Sequence, residues 1–266
     1  MKKIVHDILT AFQFLTRLPL PHVAYQPHAL SRAAAFFPLV GLAIGLVEAA
    51  LYLCLTPHLP VALVALTMVA ASILITGGLH EDGLADAADA FGGGRSKVQI
   101  LAIMKDSRIG SYGAMALVLS IAARVLLIAN MPPETLLSYV IAAEVLSRWT
   151  VLPVSVVLPS AHQEINPPSS PETHVANQKI HLDGQGARLA GHISIAALLL
   201  GTLLAFGPAV YLFRLSAWAP ILACAFVALF TAIYYRWRIQ GITGDCFGAT
   251  IQTATIAVYL CGVWRA

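Results

Sequence analysis

Acidic side chains crowd into one short stretch of this chain, GGLHEDGLADAADAFGGG at residues 77–94. The whole sequence has only 13 Asp and Glu residues, and this stretch holds Glu81, Asp82, Asp86 and Asp89. If the stretch is helical, the three Asp residues fall at i, i+4 and i+7 and share one face. Carboxylates this close repel one another unless a cation lies among them.

The cation that fits such a face is a hard divalent metal. Carboxylate oxygens suit Mg²⁺ or Mn²⁺, and no Cys or His is spaced to complete a zinc set. Mg²⁺ usually binds through a few carboxylates together with substrate phosphates. We therefore predict a site for a hard divalent metal, Mg²⁺ or Mn²⁺, at Asp82, Asp86 and Asp89, where small neighbouring residues leave room for a bulky ligand. The alternative is a solvated helix end with no ligand.

Cationic residues follow directly, in the segments FGGGRSK and IMKDSRIGSYG. Three consecutive glycines, Gly92–Gly94, predict a flexible turn after the acidic helix. Phosphate groups need cationic partners, and Arg offers a bidentate fork. We predict a phosphate-contacting loop that contains Arg95, Lys105, Asp106 and Arg108. Anchoring of a cytoplasmic loop would explain some of the same cations without a ligand.

A further candidate is Asp245 in the segment GITGDCFGAT, at the start of the last apolar run. A single carboxylate at this position is also typical of a helix N-cap. Its expected position on the same side of the membrane as the acidic face makes it a candidate substrate contact.

The elements that position these residues are membrane helices. Apolar residues make up 58% of the 266 and charged residues only 11%, and the mean hydropathy is +0.78. Soluble domains carry about 25% charged residues, and continuous apolar runs exclude a transmembrane β-barrel. No basic tract indicates nucleic-acid binding. We predict an all-α polytopic transmembrane bundle in the lipid bilayer, forming a single integral membrane domain over residues 1–266.

About seven spans are predicted, preceded by an N-terminal helix at the membrane surface. That first helix has apolar residues at helical spacing, interrupted by polar ones, as in an interfacial helix. The predicted spans are 33–55, 61–79, 113–130, 136–158, 191–212, 217–235 and 248–264. In the first of them Gly41 and Gly45 form a GxxxG pair, which permits close helix packing.

Lys and Arg residues give the orientation. Twelve lie in the N-terminal segment and the three larger loops, against two on the opposite side. The positive-inside rule therefore places loop 80–112, which we predict to be catalytic, in the cytoplasm. The polar segment 160–186 predicts a mobile cytoplasmic loop of unassigned role.

Four ionisable residues lie inside the predicted spans. Glu144 and Arg148 are four residues apart and can pair on one helix face. Glu48 and Arg124 have no partner nearby in the sequence. Pairing between helices and the lining of a ligand cavity are both open for them.

Five segments together resemble one family, the integral-membrane cobalamin synthases, also called adenosylcobinamide-GDP ribazoletransferases. They are FLTRLP (14–19), FPLVG (37–41), the acidic stretch, IMKDSRIGSYG (103–113) and GDCFGATIQ (245–252). The resemblance implies that a hydroxyl of α-ribazole, or of its 5′-phosphate, displaces GMP from adenosylcobinamide-GDP. It also implies Mg²⁺ as cofactor and the bacterial inner membrane as location.

In that reaction the acidic residues would have defined roles. Metal held by Asp82, Asp86 and Asp89 would neutralise charge on the diphosphate. Asp89 or Glu81 would accept the proton of the attacking hydroxyl. Three alternatives stay open: an enzyme like the CDP-alcohol phosphotransferases acting on another diphosphate, a transporter, and an assembly subunit without chemistry of its own. A homo-oligomer is also left open.

Overall fold

The computed structural model of the chain describes residues 2–21, 29–161, 189–190, 192–213 and 217–264. Within these ranges the chain is helical and has no strand beyond an isolated bridge between Ser160 and Ile242, so the all-α prediction is confirmed. Most of the predicted loop 160–186 lies outside the described residues. The helices are α1 (Lys2–Leu15), α2 (Ala29–Ala33), a 3₁₀ turn (Ala34–Phe36), α3 (Phe37–Leu55), α4 (Val61–Thr76), α5 (Leu79–Gly93), α6 (Lys97–Met104), α7 (Ser111–Ala129), α8 (Pro133–Trp149), α9 (Val151–Val157), α10 (Ile195–Phe213), α11 (Trp218–Ile239) and α12 (Gly244–Val263).

Each predicted span corresponds to a helix, which confirms the polytopic bundle. Six helical runs are long and apolar enough to cross a bilayer without interruption. The remaining predicted span, 61–79, becomes α4, the first half of a bent pair with α5. The six runs are Ala29–Leu55, Ser111–Ala129, Pro133–Val157, Ile195–Phe213, Trp218–Ile239 and Gly244–Val263.

The predicted close packing at the GxxxG pair is confirmed, between α3 and α8. A Cβ added at Gly41 would overlap the backbone carbonyl of Glu144. One added at Gly45 would lie 2.9 Å from the Cα of Ile141, closer than real Cβ atoms come to another backbone. The two helices therefore touch backbone to backbone, which fixes α8 and its charged residues against α3.

The acidic stretch forms a helix of its own, separate from the second span. Helix α5 leaves α4 at an angle of 89°. Gly77 and Gly78 make the bend, because both have left-handed backbone angles (φ of 68° and 72°) that other residues rarely adopt. Four acidic side chains follow on α5, which stands outside the six uninterrupted spans.

Helix α1 packs against α2, the 3₁₀ turn and α3. Its Asp7 accepts two hydrogen bonds from the guanidinium of Arg32 on α2, at 3.1 and 3.0 Å. Ala11 and Leu15 are buried, whereas Ile4 and Val5 are exposed. The exposed apolar residues agree with the expected position at a membrane surface, which stays a prediction.

Candidate active site

The three predicted metal ligands lie on α5 as the spacing required. Asp82 is exposed, while Asp86 and Asp89 are half-buried. The helix is longer than predicted, because Gly92 and Gly93 continue it and only Gly94 adopts an extended backbone. The expected turn over all three glycines was therefore wrong. Packing of α5 against α7, α6 and α12 holds the helix together through these weak helix formers.

Asp245 joins the acidic face because α5 and α12 cross at two glycines. A Cβ on Gly83 would lie 3.0 Å from the backbone oxygen of Asp245, and one on Gly248 would lie 3.0 Å from that of His80. No larger side chain permits this approach. Asp82 and Asp245 consequently line one pocket of about 400 Å³.

The carboxylate of Asp89 is hydrogen-bonded to the start of α7. Its Oδ2 accepts a hydrogen bond from the backbone N–H of Gly110 at 2.7 Å, and its Oδ1 accepts one from Gly113 at 2.8 Å. These N–H groups belong to the first turn of α7, where the helix itself offers them no partner. Asp89 therefore fastens α7 to α5 through both of its oxygens.

The pKa of Asp86 is raised by its surroundings. Burial, and after it the neighbouring carboxylates of Asp245, Asp82 and Asp89, raises the pKa of Asp86 to about 6. A carboxylate in such surroundings is favoured as an anion again when a cation binds beside it. The electrostatics of this face thus match the donor chemistry expected for a hard divalent metal.

The protein side chains alone do not supply a complete set of metal ligands at this face. Within the described ranges no three acidic, His or Cys side chains converge closely enough to hold a metal ion by themselves. Mg²⁺ commonly takes one or two carboxylates and completes its octahedron with water and phosphate oxygens. The residues present therefore fit a magnesium ion that a phosphate-bearing substrate helps to hold, not a closed protein cage.

Glu81, predicted with the acidic face, lies elsewhere. It is buried, and its Oε1 accepts hydrogen bonds of 2.9 Å from Arg124 Nη1 and from Gln252 Nε2. Arg124 also donates to Ser72 Oγ at 2.6 Å. The structure does not bring Glu81 to the pocket, because its carboxylate is engaged inside the bundle.

This buried cluster also accounts for the charges inside the spans. Arg124 Nη2 lies 3.9 Å from Glu48 Oε1 and 3.8 Å from Glu144 Oε1. The predicted pair of Glu144 and Arg148 is confirmed. Side chains of α3, α4, α5, α7, α8 and α12 thereby meet in one polar cluster, and packing between helices is the role that the geometry supports for Glu48 and Arg124.

The loop cations do not line the pocket. Arg108 forms a pair with Asp106, with Nη2 to Oδ2 at 2.6 Å, and this pairing lowers the pKa of Asp106 to about 2. The side chain of Arg95 is exposed, as is that of Lys105. None of these four residues lines the pocket that Asp82 and Asp245 share. Arg17, which was not predicted as a site residue, does line the pocket, and the only signal for it in the sequence is its position in the FLTRLP motif.

We expect Gly113→Ala to reduce activity strongly while Gly207→Ala does not. A Cβ at Gly113 would overlap the Asp89 carboxylate and lie 2.9 Å from the backbone oxygen of Ala85, so α7 must move from α5. A Cβ at Gly207, also within a helix, meets nothing within 4 Å. The measurement is the initial rate of the expected ribazole transfer, with both variants in the same lipid. Equal rates would show that the Asp89 contact does not matter for the site.

Comparison with known proteins gives one consistent result. A model of the family described as cobalamin-5-phosphate synthase matches residues 7–263. A protein of Polaromonas sp. named adenosylcobinamide-GDP ribazoletransferase is 36% identical, over 98% of this chain and 97% of its own length. A Rhizobium etli protein of the same name is 37% identical, over 99% and 98%. No solved structure matches. With a family match over nearly its whole length, the chain belongs to the cobalamin-5-phosphate synthase family.

Proposed function

We propose that this chain joins α-ribazole, or its 5′-phosphate, to adenosylcobinamide-GDP with release of GMP, in the last assembly step of cobalamin biosynthesis. One observation carries the proposal: Asp82 and Asp245, from two helices far apart in sequence, line one pocket together with Arg17. Carboxylates and a guanidinium are the groups that metal-assisted transfer from a diphosphate requires. Relatives that bear the name of this reaction match along almost the entire chain.

The transfer breaks the phosphoanhydride bond of the diphosphate and forms a phosphodiester. A ribazole hydroxyl attacks the phosphorus next to the cobinamide, a new P–O bond forms, and GMP leaves with the bridging oxygen. Bound Mg²⁺ would supply positive charge to the diphosphate oxygens. We assign Asp82 and Asp86 to hold it, since they present carboxylates on one helical face.

Two carboxylates take other roles in this proposal. Asp245 lines the same pocket as Asp82 and is assigned to accept the proton of the attacking hydroxyl. Asp89 is assigned to position the start of α7, because both of its oxygens already accept N–H groups. Glu81 has no part in the transfer, since its carboxylate faces Arg124 and Gln252.

The proposed location is the bacterial inner membrane, with the acidic face on the cytoplasmic side. We expect a membrane-impermeant thiol reagent to miss Ser96→Cys in intact cells and to label His58→Cys. Ser96 is exposed between α5 and α6, and His58 lies exposed in the turn after α3. Both variants need Cys54 and Cys261 replaced by Ala. Labelling at position 96 from outside would reverse the proposed orientation.

The activity is tested with purified protein in liposomes, given Mg²⁺, adenosylcobinamide-GDP and α-ribazole. GMP release that requires both substrates and the metal supports the proposal. Movement of a substrate into the liposomes without GMP release would favour a transporter. In a parallel assay that supplies a CDP-alcohol, release of CMP would indicate chemistry on another diphosphate, and inactivity with every substrate would favour an assembly subunit.

A further inference from the structure

A pocket of about 400 Å³ lies between the end of α1, the start of α5 and the start of α12. Arg17, Asp82 and Asp245 are the charged residues of its lining, and most of the remaining wall is apolar apart from Gln13, Thr16, Thr76 and His80. We propose that Arg17 binds a phosphate of the diphosphate substrate in this pocket, which Asp82 and Asp245 also line. This inference rests on the proposed function and assigns to it a residue outside the acidic stretch.

The segment that carries Arg17 is attached through its backbone, and the exposed Arg17 side chain packs over Gly77. Its backbone N–H donates to the carbonyl of Ile75 at 2.7 Å, which attaches the segment after α1 to the end of α4. Its side-chain stem lies over Gly77, where an added Cβ would come within 2.5 Å of Cγ and 2.7 Å of Nε. The bend that turns α5 across α4 therefore also seats this arginine.

The guanidinium is available for a ligand. Among the described residues it makes no hydrogen bond or ion pair, although two carboxylates line the same pocket. An arginine and two aspartates that share a pocket without pairing leave space between them. A phosphate fills such a space well, because it accepts bidentate bonds from Arg and shares a metal with carboxylates.

The apolar wall indicates what is attached to the phosphate. Phe14 and Phe37 stack with ring centroids 5.6 Å apart, and Phe247 and Ile251 contribute from α12. Flat apolar surfaces suit an aromatic ring. At about 400 Å³ the pocket is at the lower end of the range for small ligands, which is too small for a corrinoid. The ligand class we infer is a diphosphate with one attached nucleoside.

The test measures binding of adenosylcobinamide-GDP with Mg²⁺ in the absence of α-ribazole. Losing a charge-assisted bidentate contact should weaken binding by about tenfold to 10²-fold in Arg17→Ala. Arg17→Lys should recover only part of it, since Lys keeps the charge without the fork. The KM for α-ribazole should stay near the wild-type value. Unchanged binding by Arg17→Ala would overturn the proposal.

A second pair of variants keeps the test independent of replacing Arg17. Gly77→Ala and Gly78→Ala carry the same backbone strain, because both glycines have positive φ. Only the Cβ at Gly77 meets Arg17; that at Gly78 meets nothing within 4 Å. We expect Gly77→Ala to bind adenosylcobinamide-GDP more weakly than Gly78→Ala. Equal affinities of the two variants would contradict the proposed binding of a phosphate by Arg17.

The two proposals fail in different ways. If the wild type binds adenosylcobinamide-GDP but releases no GMP when α-ribazole is added, the proposed function fails while the binding data still decide the role of Arg17. If the wild type releases GMP and Arg17→Ala does so with unchanged affinity, the inference fails and the function stands.

Discussion

Replacement of Asp82 by Asn is expected to lower kcat/KM for ribazole transfer by roughly 10²-fold or more, which corresponds to about 3 kcal/mol of lost transition-state stabilisation. Asn keeps the shape of Asp and removes the charge that binds Mg²⁺. Asp82 is the carboxylate of the acidic face that lines the pocket, and it precedes Gly83, where α5 touches α12. It should therefore be the least replaceable of the α5 aspartates.

The measurement is the initial rate of GMP release across a Mg²⁺ titration. The variant should need a higher Mg²⁺ concentration for half-maximal rate, as well as turning over more slowly. Glu134→Gln is the matched control, since Glu134 is exposed in the first turn of α8, away from the pocket. Near-normal turnover with unchanged metal dependence in Asp82→Asn would reject the acidic helix as the catalytic metal site.

Arg124→Met is expected to cost about 3–5 kcal/mol of stability, because it removes the cation beside the buried carboxylates of Glu81 and Glu48. Glu81, Glu48 and Glu144 all lie within 4 Å of this guanidinium, which is only 2% exposed. For a chain of this size the apparent Tm should fall by roughly 6–20 °C. Activity should fall with it, since Glu81 holds the turn of α5 that carries Asp82.

Thermal melting of detergent-solubilised protein provides the measurement. Arg236→Met is the control, because Arg236 is an exposed arginine on α11. The double variant Arg124→Met with Glu81→Gln should lose less than the two single variants added together, since each removes a partner of the other. A Tm shift in Arg124→Met no larger than that of Arg236→Met would mean that the cluster does not stabilise the bundle.

The sequence predicted features that depend on local pattern. The spans follow from runs of apolar residues, and the shared face of Asp82, Asp86 and Asp89 follows from helical spacing. The packing at Gly41 and the pair of Glu144 with Arg148 are likewise readable within one helix. Each of these needs only a few neighbouring residues to be specified.

The features that were missed depend on contacts between distant segments. The partner of Glu81 is 43 residues away, so no local spacing indicates that its carboxylate is engaged. The partnership of Asp245 with Asp82 rests on the crossing at Gly83 and Gly248, two glycines that look ordinary in sequence. The bend at Gly77 was missed because the apolar run hides two consecutive left-handed residues.

The buried cluster has a consequence for how the protein is made. Glu81 leaves the ribosome 43 residues ahead of Arg124, and Glu48 emerges earlier still. At 5–20 residues per second, about 2–9 s pass between the synthesis of Glu81 and that of Arg124. During that time α3 and α5 bring carboxylates to the membrane that no arginine neutralises. Nascent chains should therefore depend on the insertion machinery until α7 arrives, and chains truncated before α7 should be degraded quickly.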